Sequence, residues 1–136
     1  MLLNPYLTFN GQCDEAFKFY EKCLGGKIEM SMTFRESPMA AQVPMDWQDK
    51  ILHATLTLGD RQLQGADAPP GRYERPRGFS VALHVATAPE ADRIFASLSE
   101  NGIVQFVLQE TFWALRFGMV IDQFGTPWMI NCGRTA

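Results

Sequence analysis

Residues 112–131 read Phe-Trp-Ala-Leu-Arg-Phe-Gly-Met-Val-Ile-Asp-Gln-Phe-Gly-Thr-Pro-Trp-Met-Ile-Asn. Strand formers on both sides of Asp122-Gln123-Phe124-Gly125 predict strand, tight turn, strand, over residues 112–121 and 127–132. Asp122 suits the turn because its carboxylate can accept from backbone N–H groups just ahead of it. Trp113 and Trp128 flank the turn; on strands, such aromatics belong in a core more often than in a stacking wall. Arg116 is read as pairing with a surface carboxylate in preference to an anionic ligand. Cys132 is read as a small buried hydrophobe, since no base is marked for it.

Working back from this hairpin, residues 103–108 predict a further strand. Before it Ala91, Ile94, Phe95 and Leu98 form a helical stripe that ends at Asn101-Gly102. Thr87 and Glu90 have the spacing of a capping box at the start of that helix. Residues 79–86 alternate, with Val81, Leu83 and Val85 on one face and Ser80, Ala82 and His84 on the other. The order is thus strand, helix, strand, strand, strand.

The first part of the chain has the same order. Residues 6–10 predict a strand with Leu7 and Phe9 on one face and Tyr6 and Thr8 on the other. A helix follows over residues 14–24, its stripe made by Ala16, Phe17, Tyr20, Cys23 and Leu24, with Asp14 and Glu15 at its positive end and Gly25-Gly26 as its stop. Strands are predicted over residues 27–34, 51–58 and 61–66. His53 falls opposite Leu52 and Leu56. The interrupted segment 35–50 reads as a surface loop held down by Trp47. Matching Leu7 to Leu83 gives an offset of 76 residues, and matching Ala16 to Ala91 gives 75. The chain is therefore read as a duplicated βαβββ unit of α+β class: a first module at residues 1–68, a Pro-, Gly- and charge-rich linker at 69–78, and a second module at 79–136.

Composition bounds the function. The chain has 136 residues, 46% hydrophobic and 20% charged, with a formal net charge of −3; this excludes the electrostatic footprint of a nucleic-acid or anionic-membrane binder. No apolar run approaches the ~20 residues needed to span a bilayer, and the amino terminus lacks the basic start of a signal peptide. Three cysteines without a Cys-x-x-Cys spacing fit a reducing cytoplasm better than a disulfide framework or zinc site.

The sequence resembles the vicinal oxygen chelate superfamily, which includes glyoxalase I, bleomycin and fosfomycin resistance proteins and extradiol dioxygenases, and within it the PhnB-like branch. The resemblance is carried by residues 4–11 (Asn-Pro-Tyr-Leu-Thr-Phe-Asn-Gly), 16–20 (Ala-Phe-Lys-Phe-Tyr), 24–26 (Leu-Gly-Gly), 53–60 (His-Ala-Thr-Leu-Thr-Leu-Gly-Asp) and 111–113 with 116–128. It implies a cupped mixed sheet around a cavity between paired modules, and a homodimer. It also implies where a metal would sit in metal-dependent members: His or Gln on the first strand of each half and Glu on the last. Here those positions are Asn4 (or Pro5), Gln64, Ser80 and Met129. None is a carboxylate, and a thioether suits softer metals than these enzymes use. No metal or other cofactor is expected in the family's manner.

The primary expectation is a small-molecule-binding protein without metal, its cavity lined by Tyr6, Thr8, Gln64, Ser80, His84 and Met129. The alternative is a glyoxalase-type or other small-molecule enzyme with a non-standard metal site or with His84 as general acid/base. A third reading is a dimerising protein with no small-molecule role. Relatives carry a demethylubiquinone methyltransferase label, but no Gly-rich nucleotide loop follows a strand here.

Overall fold

The computed structural model describes residues 1–134. The chain divides into two compact units, Met1–Glu74 and a second beginning at Arg75. The first holds β1 (Tyr6–Phe9), α1 (Cys13–Leu24), β2 (Lys27–Thr33), β3 (Ile51–Leu58) and β4 (Arg61–Asp67). The second holds β5 (Val81–Val85), α2 (Ala88–Ser99), β6 (Ile103–Gln109), β7 (Ala114–Ile121) and β8 (Pro127–Gly133). Each unit is a four-stranded sheet, ordered β1-β4-β3-β2 and β5-β8-β7-β6. The β1–β4 and β5–β8 pairs are parallel and the others antiparallel, so both sheets are mixed. This is the duplicated βαβββ architecture of α+β class that the periodicity predicts.

Each helix covers one face of its own sheet. In α1 the buried stripe is Cys13, Ala16, Phe17, Tyr20 and Cys23. It meets Leu7, Phe9, Ala54, Leu56 and Leu63, all buried. Phe9 and Phe17 pack edge to face at 6.1 Å. In α2 the stripe is Ala91, Ile94, Phe95 and Leu98, laid over β7 and β8, where Val120, Trp128 and Ile130 are buried. Each such aliphatic or aromatic side chain contributes roughly 1.5–3 kcal/mol by leaving water. The caps match the sequence: Gly25 adopts φ 78° and its N–H donates to the Glu21 carbonyl, and Thr87 Oγ1 accepts from Glu90 N at 3.3 Å.

A glycine in each sheet lets a helix aromatic ring lie against backbone. A Cβ on Gly65 would come within 2.8 Å of both the Phe17 ring and the Leu7 carbonyl oxygen, and one on Gly118 within 2.8 Å of the Phe95 ring and 2.9 Å of Leu108 Cα. The duplication extends to an irregularity. Register slips between Ile28 and Met30 in β2, and between Val104 and Phe106 in β6.

Two buried carboxylates tie the loops to the sheets. Asp122 Oδ1 accepts from Phe124 N (2.8 Å) and Thr126 N (3.1 Å), and its Oδ2 accepts from Trp128 Nε1 (2.8 Å). Asp67 Oδ1 accepts from Gly11 N (2.9 Å) and Cys13 N (3.0 Å), and its Oδ2 from Ile51 N (2.9 Å). The segment between β2 and β3 is a built loop with two short 3-10 turns, Ala40–Gln42 and Met45–Trp47. It is pinned by Trp47 Nε1 donating to the Ala68 carbonyl (3.0 Å) and Lys50 Nζ donating to the Gly11 carbonyl (3.0 Å).

Three sequence expectations need correction. The strand expected from residue 79 begins at Val81, so Ser80 precedes it. The strand expected from residue 112 begins at Ala114. Thr111 forms a local turn there, its Oγ1 accepting from Ala114 N and its own N–H donating to the Ala114 carbonyl; a hydroxyl that binds nearby backbone competes with the ladder. Trp113 consequently lies outside the core, 47% exposed, whereas Trp128 is 1% exposed as expected. Cys13, Cys23 and Cys132 are buried thiols, none of them in a disulfide. Burial first, and then Asp67 and Asp14, push the Cys13 thiol far above its ordinary value, so it stays protonated and unreactive.

Candidate functional site

Strand alternation leaves each sheet with an open face opposite its helix. In the first unit, register places Tyr6 beside Gln64 and Gln64 beside Thr55, which stands opposite Met30. Thr8 beside Ala66, and His53 opposite Met32, extend the same face. The row is bonded side chain to side chain: Tyr6 Oη and His53 Nδ1 are 3.2 Å apart, and His53 Nε2 and Thr55 Oγ1 are 3.2 Å apart. Gln64 Nε2 donates to Gln62 Oε1 at 3.2 Å. This face is polar, edged by two methionines.

In the second unit, register places Ala82 beside Met129, Met129 opposite Met119, and Met119 opposite Phe106. The adjacent row is His84, Asn131, Phe117 and Gln109. A groove of about 460 Å³ opens on this face, lined by Pro76, Arg77, Gly78, Phe79, Ser80, Gln105, Met119, Ile121, Pro127 and Met129. Its floor is apolar, and a guanidinium, a hydroxyl and a carboxamide stand around it. Beyond the groove, Phe106, Phe117, Trp113 and Phe112 follow one another edge to face, with centroids 5.4, 5.3 and 4.8 Å apart.

The six residues read from the sequence as cavity candidates thus fall into groups. Ser80 and Met129 meet in the groove. His84 shares their face but stands one row away, exposed, with Nδ1 3.3 Å from Asn131 Nδ2. Tyr6 and Gln64 are neighbours on the open face of the first sheet, with Thr8 two residues further along β1. Arg116 pairs with Asp92 at 2.9 Å, so its guanidinium is engaged as the sequence suggests. Arg77, Gln105 and Met119 were not singled out from the sequence. Met119 had a usable signal, since counting outward from the Asp122–Gly125 turn puts it opposite Met129. Gln105 had none, because it sits at the register slip of β6.

The metal positions implied by the resemblance do not fit a divalent ion. Gln64 is the one credible ligand, through its Oε1, since its Nε2 donates to Gln62 Oε1; a single neutral carboxamide oxygen is a weak ligand set for a divalent ion. Ser80 and Met129 supply a neutral hydroxyl and a thioether in a groove floored by Met119, Ile121 and Pro127. Among the described residues no three His, Cys, Asp or Glu side chains are grouped as a metal site. No chemical step is assigned to a metal here.

Comparison with known proteins places this geometry. Residues 2–131 match the family described as 3-demethylubiquinone-9 3-methyltransferase. The chain belongs to that PhnB-like family. It is 37% identical to protein YjdN of Escherichia coli (strain K12), over 96% of this chain and 95% of that one. It is 46% identical to protein PA1353 of Pseudomonas aeruginosa, whose crystal structure superposes with a TM-score of 0.90 and covers 98% of each chain. The PhnB protein from Bacillus cereus shares the fold at 20% identity, with a TM-score of 0.81 over 98% of this chain and 100% of that one. The fold is also shared with the glyoxylase/bleomycin resistance protein/dioxygenase domain from Frankia sp. EAN1pec, at 13% identity and a TM-score of 0.65 over 98% of this chain and 95% of that one. Among the described residues, neither helix is long and apolar enough to cross a membrane.

Proposed function

We propose that this PhnB-like protein binds a small, partly apolar molecule on its open sheet faces without a metal ion. The observation that carries this reading is the groove of the second unit. Its volume of about 460 Å³ lies in the range of small-molecule sites. An apolar floor with a few placed polar groups suits a ligand with an apolar body and an anionic or hydrogen-bond-accepting head turned to Arg77, Ser80 and Gln105. Tyr6, Thr8 and Gln64 offer a second polar surface on the first sheet. His84 bonds an amide and stands outside the groove, so it gives the acid–base alternative no support. The same reading includes a homodimer in a reducing cytoplasm. The apolar edge strand β6, with Ile103, Val104, Phe106 and Val107 all exposed, supports self-association, because such edges recruit partners; sedimentation at the mass of one chain would remove it. The three buried thiols, outside any disulfide, suit the compartment.

The test is occlusion. Met129→Trp fills the groove floor. In a thermal-shift screen of aromatic and aliphatic carboxylates in chelator, ligands that raise the melting temperature of the wild type are expected to lose at least tenfold in affinity for the variant. Hits that bind both proteins equally would place binding elsewhere, and silence across a broad set would count against the reading.

A further inference from the structure

We infer that the loop between β2 and β3 and the turn after β4 form a second small-molecule site, which takes a flat aromatic ring carrying a single carboxylate. The site lies within the first unit. None of the residues lining it belongs to a strand or to the groove of the second unit, so it binds or fails to bind independently of the open sheet faces.

The cavity has a volume of about 460 Å³, within the range of small-molecule sites. Phe34 and Val43 are buried and make its inner surface, and Met39 with three prolines, Pro44, Pro69 and Pro70, makes its walls. Those walls are fixed before any ligand arrives. On the loop side, Gln48 Nε2 donates to the Ala40 carbonyl (2.6 Å) and the Val43 carbonyl (3.4 Å), and Met39 N donates to Ser37 Oγ (3.0 Å). On the other side, Pro69-Pro70-Gly71-Arg72 is a tight turn. Arg72 N donates to the Pro69 carbonyl (3.0 Å), and Gly71 takes φ 80°, as the third residue of a type II turn must. Trp47 joins the two sides by donating from Nε1 to the Ala68 carbonyl. Proline has no rotamer entropy to lose when it is covered, so closing these walls on a ligand costs little ordering.

The lining selects the ligand. Pyrrolidine rings, a thioether and a benzyl group offer close dispersion contact to a flat apolar body. Arg72 supplies the charge. Among the described residues its guanidinium has no ion pair and no side-chain hydrogen bond. Arg35, the arginine of the loop, is held instead by Asp49 at 2.8 Å. No acidic residue lines the cavity, so Arg72 is its one charged group. A guanidinium pairs with a carboxylate through two parallel hydrogen bonds, and the exposed Gln42 adds an amide donor. A second carboxylate on the ligand would face apolar walls without a partner, which burial penalises.

The probe is 2-naphthoate, titrated into full-length protein labelled with ¹³C-methyl methionine. Met39 marks this cavity, and Met119 and Met129 mark the groove of the second unit. Saturable shifts are expected at Met39, with affinity unchanged to within about twofold in Met129→Trp, where the groove is filled. Arg72 is exposed, so Arg72→Gln leaves the fold intact; it is expected to weaken naphthoate binding at Met39 about tenfold. Neutral 2-naphthamide is expected to bind the wild type and Arg72→Gln alike. An unmoved Met39 overturns the site, whatever Met119 and Met129 do. A Met39 shift that disappears in Met129→Trp overturns it too, because the shift would then report the groove. Equal affinity of naphthoate for the wild type and Arg72→Gln would contradict the carboxylate assignment.

Discussion

Asp122→Ala is expected to destabilise the protein by about 3–5 kcal/mol. Asp122 is 3% exposed and its two oxygens accept from three donors. Thr126 and Trp128 are each 1% exposed, so neither donor can turn to water when the carboxylate is removed. Each buried donor left unpaired costs roughly 1–3 kcal/mol. Urea denaturation monitored by tryptophan fluorescence measures the loss. A second substitution separates its causes. Trp128→Phe removes the indole N–H, so in the Asp122→Ala background it is expected to cost less than in the wild type, with a coupling of ~1–2 kcal/mol. Additive effects would mean that the indole bond carries no stability of its own.

Asp67→Ala is expected to be as damaging, again about 3–5 kcal/mol, but without a comparable rescue. Its three partners are the backbone N–H groups of Gly11, Cys13 and Ile51. One carboxylate thus joins the end of β4 to the β1–α1 connection and to the start of β3. No side-chain substitution deletes those donors, so the orphaned groups remain in every background. Asp67→Asn retains one acceptor oxygen and is expected to lose about half as much. Chemical denaturation again gives the answer, and a loss below ~1 kcal/mol for Asp67→Ala would show that water or rearrangement replaces the carboxylate.

Much of the fold was legible because it follows from period and punctuation. Leu7 and Phe9 alternate, Ala16, Phe17 and Tyr20 repeat at helical spacing, and Gly25 and Thr87 are cap residues found at caps. Offsets of 76 residues from Leu7 to Leu83 and 75 from Ala16 to Ala91 expose the duplication without any contact. What sequence missed was set by local competition or by long-range register. Thr111 takes a turn that shortens β7 and turns Trp113 out of the core. The slip at Gln105 breaks the alternation on which a face assignment depends. The candidate site was legible only in pieces. Ser80 and Met129 could be named, but Arg77 comes from a segment read as linker. Pairing of His53 with Tyr6 depends on β1 and β3 flanking β4, an ordering that alternation alone does not specify. The contrast between a polar open face in the first sheet and a methionine- and aromatic-rich one in the second becomes visible only once register lines up the rows.

The central claim is metal-independent ligand binding on these faces, and the protein carries its own reporters for it. Met119 and Met129 line the groove, Met30 and Met32 edge the other face, and Met45 is 78% exposed on the loop between β2 and β3. The direct measurement is a ¹³C-methyl methionine titration with a carboxylate found by thermal shift, run in chelator and repeated with added zinc, nickel and manganese. The account predicts saturable shifts at Met119 and Met129 in chelator, an unmoved Met45, and the same affinity with each metal. Shifts that appear only when metal is added, or that spare both Met119 and Met129, would contradict it.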